Sequence, residues 1–195
     1  YATQLSMIQT KHSPGASINA IDLAVKNTSN SKLFARLITT GQPLEGREKR
    51  IQKNLDMKVN YLDLEGNEID VSQLSQGTDF VAEVQIYNPG TRGYYQEMAL
   101  TQVFPSGWEI LNDRMMAGPN VQQASVPVYQ DIRDDRVLTY YNISSRRYQT
   151  YRVRLNATYL GRYYLPAVLS NAMYDDEIMA VQPGKWVEVV ADDNE

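Results

Sequence analysis

Between Tyr151 and Tyr159 every odd position is apolar or aromatic (Tyr151, Val153, Leu155, Ala157, Tyr159) and every even one is polar (Arg152, Arg154, Asn156, Thr158). Successive side chains of an extended chain point to opposite faces, so this period of two defines a strand with one buried face. An amphipathic helix would need a period near 3.6 and is excluded here. A half-buried strand needs neighbours, and the flanking sequence reads as sheet. Leu160-Gly161-Arg162 supplies a turn, Tyr163-Tyr164-Leu165-Pro166 a short return strand, and Val168 to Tyr174 a further apolar run ending at Asp175-Asp176-Glu177. Three adjacent carboxylates do not suit a strand, so a loop begins there, with Tyr174 just before it on no strand face.

The same alternation recurs upstream. Leu55, Met57, Val59 and Tyr61 alternate with Asp56, Lys58 and Asn60 up to the turn Asp63-Leu64-Glu65-Gly66-Asn67. Phe80, Ala82, Val84 and Ile86 form another strand, closed by Asn88-Pro89-Gly90. Met98 to Phe104 and Val137 to Ile143 follow, with Pro105-Ser106-Gly107 turning the chain into Trp108-Glu109-Ile110. Pro183-Gly184 leads into a last strand over Lys185 to Val190, followed by the polar tail Asp192-Asp193-Asn194-Glu195. Asp70 to Gly77 reads as a connector with one helical turn at Ser72, and Asn112 to Asp135 as a long loop of the kind that is functional or disordered. Near the N-terminus, Ile21, Leu23 and Val25 pair with a hairpin partner over Lys32 to Thr39, ended by Gly41-Gln42-Pro43. The polar run Glu45 to Arg50 marks a boundary. The expectation is an all-β chain: an antiparallel β-sandwich over residues 47–195, preceded by part of a second β-domain over residues 1–46.

Composition narrows the chemistry. The chain of 195 residues has no cysteine, so thiol nucleophiles, disulfides and thiolate metal sites are excluded within it. Its 19 basic and 23 acidic residues give a net charge of −4 with no basic patch, which disfavours nucleic acid as a partner. No apolar run reaches the roughly 18 to 20 residues that span a bilayer, so no direct membrane insertion is expected. A first residue that is not methionine suggests a piece of something longer. The single histidine, His12, lies in a Gly/Pro loop with no nucleophile pattern beside it, so no catalytic residue is assigned and no enzyme activity or cofactor is expected. Asp63, Glu65, Asn67 and Asp70 superficially space oxygen ligands at alternate positions, but Gly66 falls too early for a calcium loop, and a hairpin turn is the simpler reading; no metal site is assigned. Arg133-Asp134-Asp135-Arg136 reads as a solvated turn. Tyrosine is the compositional outlier, fourteen against three phenylalanines. Its amphipathic ring suits half-buried sheet edges as well as contact surfaces, and Tyr163, Tyr164 and Trp108 stand as interface candidates.

The run Asn156-Ala157-Thr158-Tyr159-Leu160-Gly161-Arg162-Tyr163-Tyr164-Leu165-Pro166, then Ala172-Met173-Tyr174-Asp175 and Pro183-Gly184-Lys185-Trp186-Val187-Glu188-Val189, closely resembles the C-terminal domain of bacterial alpha-2-macroglobulins. Gly107-Trp108-Glu109-Ile110, Asp131 to Arg136 and Asn88-Pro89-Gly90 fit the same pattern, and the match covers most of residues 51 to 190. The resemblance implies a macroglobulin-like β-sandwich, comparable to the receptor-binding domain of animal relatives, belonging to a broad-spectrum protease trap. It implies that residues 1–46 are the returning half of a CUB-like β-domain. It also implies an extracytoplasmic location, periplasmic or cell-surface, with a lipid-anchored parent as one route.

In bacterial members a loop of this domain carries a tyrosine that covers an internal thioester, and Tyr174, flanked by Met173 and Asp175, is the position that fits. The implied partners are the thioester and CUB-like domains of the same parent chain and, indirectly, the target proteases. Any thioester must lie elsewhere in that parent, because this chain has no cysteine. The physical case for such a loop stands beside the resemblance: a flat ring over a hydrolysable bond fills volume and keeps water out. The alternative reading is a carbohydrate-binding or adhesin-type sandwich in which Trp108 and the tyrosine pairs stack on sugar rings. A Cys-x-Glu-Gln motif upstream in the parent would favour the first reading, and an upstream glycosidase domain the second.

Overall fold

Long alternating runs can bury a face only by lying in a sheet that packs on another, and the structure builds that arrangement. The structure is a computed structural model that describes residues 48–111 and 124–191, together with Lys26, Asn27, Lys32, Phe34, Arg36 and Ile38. The chain divides into two compact units, residues 1–41 and 42–195. In the first unit, Lys32, Phe34, Arg36 and Ile38 are exposed and outside any regular element, so the strand expected over 32–39 is not formed at them. The strand expected at Ile21 to Val25, His12, the Met115 to Pro119 segment and the acidic tail lie outside the described residues.

Every regular element among the described residues is a strand: β1 (Ile51–Lys53), β2 (Asp56–Leu62), β3 (Gln73–Ser75), β4 (Asp79–Tyr87), β5 (Tyr95–Val103), β6 (Trp108–Leu111), β7 (Tyr129–Ile132), β8 (Arg136–Ile143), β9 (Tyr148–Ala157), β10 (Gly161–Leu165), β11 (Val168–Ala172), β12 (Met179–Gln182) and β13 (Lys185–Val190). They form a six-stranded sheet in the order β1-β12-β11-β5-β8-β7, a four-stranded sheet β2-β4-β9-β6 and a three-stranded sheet β10-β13-β3. All pairings are antiparallel except β13 with β3. The fold is an all-β sandwich.

Burial follows the period of two. In β9, Tyr151, Val153, Leu155 and Ala157 are buried, in register with Val84, Ala82 and Phe80 of β4 and with Ile110 and Trp108 of β6. Two clusters make up the core. In the first, Leu55, Met57, Val84, Ile86 and Tyr151 pack against Tyr95, Met98, Leu100, Tyr141 and Ile143 of the six-stranded sheet. In the second, Phe80, Ala82, Val153 and Leu155 meet Trp108, Val137 and residues Leu165, Val187 and Val189 of the three-stranded sheet. Two polar side chains on the outer face of the four-stranded sheet, Asn60 and Glu83, are also buried, and Arg152 Nε donates to Glu83 Oε2 at 2.8 Å.

Several local readings need correction. The segment after β9 does not fold back on it: the C-terminal half of β9, where a hairpin would form, is already flanked by β4 and β6, and β10 pairs with β13 in a different sheet. Tyr159, the last residue of the alternation, is exposed beyond the end of β9. Residues 70 to 77 hold no helical turn; the Asp70 carboxylate accepts from the backbone N and the hydroxyl of Ser72, and the turn delivers the chain into β3. The expected long loop contains β7, and a further strand, β12, follows the acidic cluster.

Candidate functional site

The loop that carries Tyr174 connects β11 to β12 at one end of the sandwich. Tyr174 is 81% exposed and Met173 half exposed, while Ala172 before them and Ile178 after them are buried in the first core cluster. The loop is therefore pinned at both feet and presents its tip to solvent. Its backbone is closed by Ala172 N donating to Ile178 O at 3.0 Å and by Glu177 N donating to Asp175 Oδ1 at 2.9 Å, a local carboxylate turn of the kind Asp makes readily.

Two neighbouring segments brace it. At the first, the chain crosses from β1 in one sheet to β2 in the other through Asn54, whose φ of 52° lies in the left-handed region that asparagine tolerates. Asn54 Nδ2 donates to Glu177 O at 2.9 Å, and Lys53 Nζ meets Glu177 Oε1 at 2.6 Å. The second is the β4–β5 connection. Asn88 is fully buried; its Oδ1 accepts from Gly90 N at 2.8 Å and its Nδ2 donates to Gly93 O at 2.7 Å, folding a tight loop in which Gly90 and Gly93 both have positive φ. From this loop Arg92 Nη1 reaches Asp175 Oδ2 at 2.7 Å. Asn54 also links the two braces, accepting from Thr91 Oγ1 at its Oδ1 and from the Tyr95 hydroxyl at its carbonyl, 3.1 and 2.9 Å. A bulge in β5 at Glu97 (φ 52°) turns its carbonyl outward to accept from Met173 N at 3.0 Å.

Between the Arg92 loop and the Tyr174 loop lies an open cavity of about 350 Å³, with Tyr94 and Tyr95 on one side and Ala172, Tyr174 and Ile178 on the other. A wider cleft of about 440 Å³ runs along β2, rimmed by Glu68, Asp70 and Lys185. Among the described residues no three His, Asp or Glu side chains are grouped to hold a metal ion. The Asp63 to Asp70 segment is a hairpin turn, in which Asp63 accepts from the backbone N and the side-chain amide of Asn67 at 2.8 and 2.9 Å. These bonds hold the Asp63 carboxyl below its ordinary range.

The remaining sequence candidates divide. Trp108 does not belong to a surface: it is 3% exposed in the second core cluster, with Phe80 edge-on to it at 4.9 Å. Its place at the start of β6, whose register sets it beside Ala157, turns the indole inward, so it is unavailable for stacking on a sugar. The Tyr163 ring lies against Gly107, where any Cβ would collide with it, and its hydroxyl donates to Leu160 O at 2.9 Å. Tyr164 is half-buried, donates to the Glu48 carboxylate at 2.6 Å and meets Trp186 edge-on at 5.5 Å. The structure therefore brings Met173, Tyr174 and Asp175 together at one exposed tip and places the other three candidates elsewhere. Sequence reading missed Asn54 and Arg92. An asparagine at the point where one run of alternation breaks into the next was the available signal for Asn54; nothing local marks Arg92.

The all-β sandwich that holds this loop is of the macroglobulin-like class. Residues 55–177 match the family described as the bacterial alpha-2-macroglobulin MG10 domain, and the chain belongs to that family. The match stops before β12 and β13, although both complete sheets begun within it. Among curated proteins, the chain is similar to an alpha-2-macroglobulin of Rickettsia conorii, 29% identical over 174 residues, covering 84% of this chain and 9% of that protein. Among solved structures, it is similar in fold to the native form of Escherichia coli alpha-2-macroglobulin, with TM-score 0.65, 18% identity and coverage of 73% of this chain and 10% of that one. It is equally similar to a Salmonella alpha-2-macroglobulin reacted with methylamine, with TM-score 0.65, 19% identity and the same coverage. The chain thus spans about a tenth of the length of these relatives.

Proposed function

We propose that this chain is a non-catalytic region of a longer bacterial alpha-2-macroglobulin, an extracytoplasmic protease trap, and that the Tyr174 loop packs against another domain of the parent to shield a thioester there. The observation that carries this reading is the mismatch between the two ends of the loop. Tyr174 contributes almost nothing to its own core, yet its loop is tied down by Arg92, Lys53, Asn54 and the Glu97 carbonyl. Ordering an exposed loop costs conformational entropy, so four braces behind a ring that touches solvent suit a contact completed by a partner. A thioester is consumed by water and by amines, and the Salmonella relative has been seen in a form reacted with methylamine. A planar aromatic ring is suited to closing off such a bond. On this reading residues 1–46 belong to a CUB-like domain of the same parent, and the described sandwich traps no protease by itself.

In a parent with a thioester, Tyr174→Ala is expected to speed spontaneous amine incorporation about tenfold or more, while the melting temperature of the present chain moves by less than the equivalent of about 0.5 kcal/mol, the usual range for surface changes. Unchanged incorporation would remove the shielding role, and a large fall in melting temperature would make Tyr174 a structural residue.

A further inference from the structure

We propose that Arg92 is the positioning residue for Tyr174, setting the tip of its loop through the Asp175 carboxylate; the purpose of that positioning rests on the shielding role above, but the positioning itself does not. The Asp175 carboxylate is shared. Oδ1 accepts from Glu177 N and shapes the loop from within, and Oδ2 accepts from Arg92 Nη1, which comes from a different connection. Asp175 is the residue next to Tyr174, so a guanidinium that fixes its carboxylate also fixes the direction in which the Tyr174 Cα projects. Lys53 and Asn54 act further along, at Glu177, and the Glu97 carbonyl holds the backbone N of Met173 on the other side of Tyr174, so Arg92 supplies the side-chain brace at the residue that follows the ring.

Arg92 can serve because its own loop is rigid. Buried Asn88 ties Gly90 and Gly93 from inside, and its Nδ2 also donates to Ile143 O at 3.3 Å in the six-stranded sheet. The anchor thus runs from the sheet through Asn88 to the Arg92 loop, and from there through Asp175 to Tyr174. The Arg92–Asp175 pair is about half exposed at both ends, a setting in which ion pairs contribute little to global stability. Its effect is therefore local, and this separates positioning from a structural role.

The test uses the whole 195-residue chain. Amide hydrogen exchange over residues 173–178 and the mobility of a ring fluorine placed on Tyr174 are measured for wild type, Arg92→Ala and Arg92→Lys. Arg92→Ala is expected to raise loop exchange about threefold, the size an exposed pair supports, and to broaden the rotational freedom of the ring, with the thermal midpoint unchanged. Arg92→Lys should recover part of the order. Loop exchange and ring mobility equal to wild type in Arg92→Ala would overturn the proposal, as would a lowered thermal midpoint with protection lost throughout the sandwich. If the loop loosens in this chain while amine incorporation in the parent is unaffected by both Arg92→Ala and Tyr174→Ala, positioning stands and shielding falls.

Discussion

A single carboxylate illustrates how much the sheet surface does electrostatically. Asp79, at the start of β4, accepts from Asn156 Nδ2 and from Arg154 Nη2, both at 2.7 Å, across the β4–β9 pairing. The Asn156 amide first, and the Arg154 guanidinium second, hold the Asp79 carboxyl below its ordinary range. A folded value below the unfolded one, about 3.9 for aspartate, means that the carboxylate adds stability at pH values above that figure and that this contribution disappears as pH falls through the folded value. Denaturant midpoints should thus fall as pH drops from about 5 through the folded value, and Asp79→Asn should flatten part of that fall. An Asp79→Asn profile parallel to wild type across the range would mean that the bonded carboxylate contributes nothing measurable. Trp108 teaches a different lesson at the same scale. Its residue type and its company, Gly107-Trp108-Glu109, are equally compatible with an exposed platform, and only the register of β6 on β9 decides that the indole is core.

At the scale of elements, what sequence could deliver was the strands whose faces differ. β2, β4, β8, β9 and β13 alternate, and the turns at Asp63 to Asn67, Asn88 to Gly90 and Pro183-Gly184 carry the residues that such backbone needs, so these were legible. Pairing was not. Tyr163 to Leu165 looks like the return arm of a hairpin because a turn precedes it, but hairpin formation also needs a free edge, and β4 and β6 occupy both edges of the C-terminal half of β9. β3, β7 and β12 are three or four residues long, too short for any period to be counted, and they exist because a neighbour offers hydrogen bonds. The loop bearing Tyr174 was legible by resemblance and by the acidic run after it, whereas its bracing depends on contacts between residues far apart in the chain, Arg92 with Asp175 and Asn54 with Glu177 among them.

The β4–β9 pair also yields a prediction at this scale. Glu83 and Arg152 face each other in register, and the Glu83 side chain is 5% exposed. Arg152→Ala would leave that carboxylate buried without its guanidinium, a change that costs about 3–5 kcal/mol. Glu83→Gln with Arg152→Met should recover most of the loss, because it removes both charges together. Urea titration of the single and double variants measures both, and a cost below about 1 kcal/mol for Arg152→Ala would place the pair with exposed ones.

For the second unit as a whole, two core clusters raise the question of whether it unfolds in one step or two. Separate clusters can melt separately when different elements build them, as in multidomain chains. Here the same strands run through both: β4 gives Val84 and Ile86 to the first cluster and Phe80 and Ala82 to the second, and β9 gives Tyr151 to the first and Val153, Leu155 and Ala157 to the second. Losing one cluster would release half of each central strand and break the β4–β9 ladder, which joins nine residues of β4 to nine of β9. A chain of residues 42–195 is therefore expected to fold by itself and to unfold in a single transition. Trp108 in the second cluster and Trp186 on β13 of the three-stranded sheet report that part of the sandwich by fluorescence, and far-ultraviolet circular dichroism reports all the sheets, so the two signals should trace the same curve against denaturant. A fluorescence midpoint distinct from that of circular dichroism would mean that the three-stranded sheet, which contributes Leu165, Val187 and Val189 to the second cluster alone, detaches before the main sandwich opens.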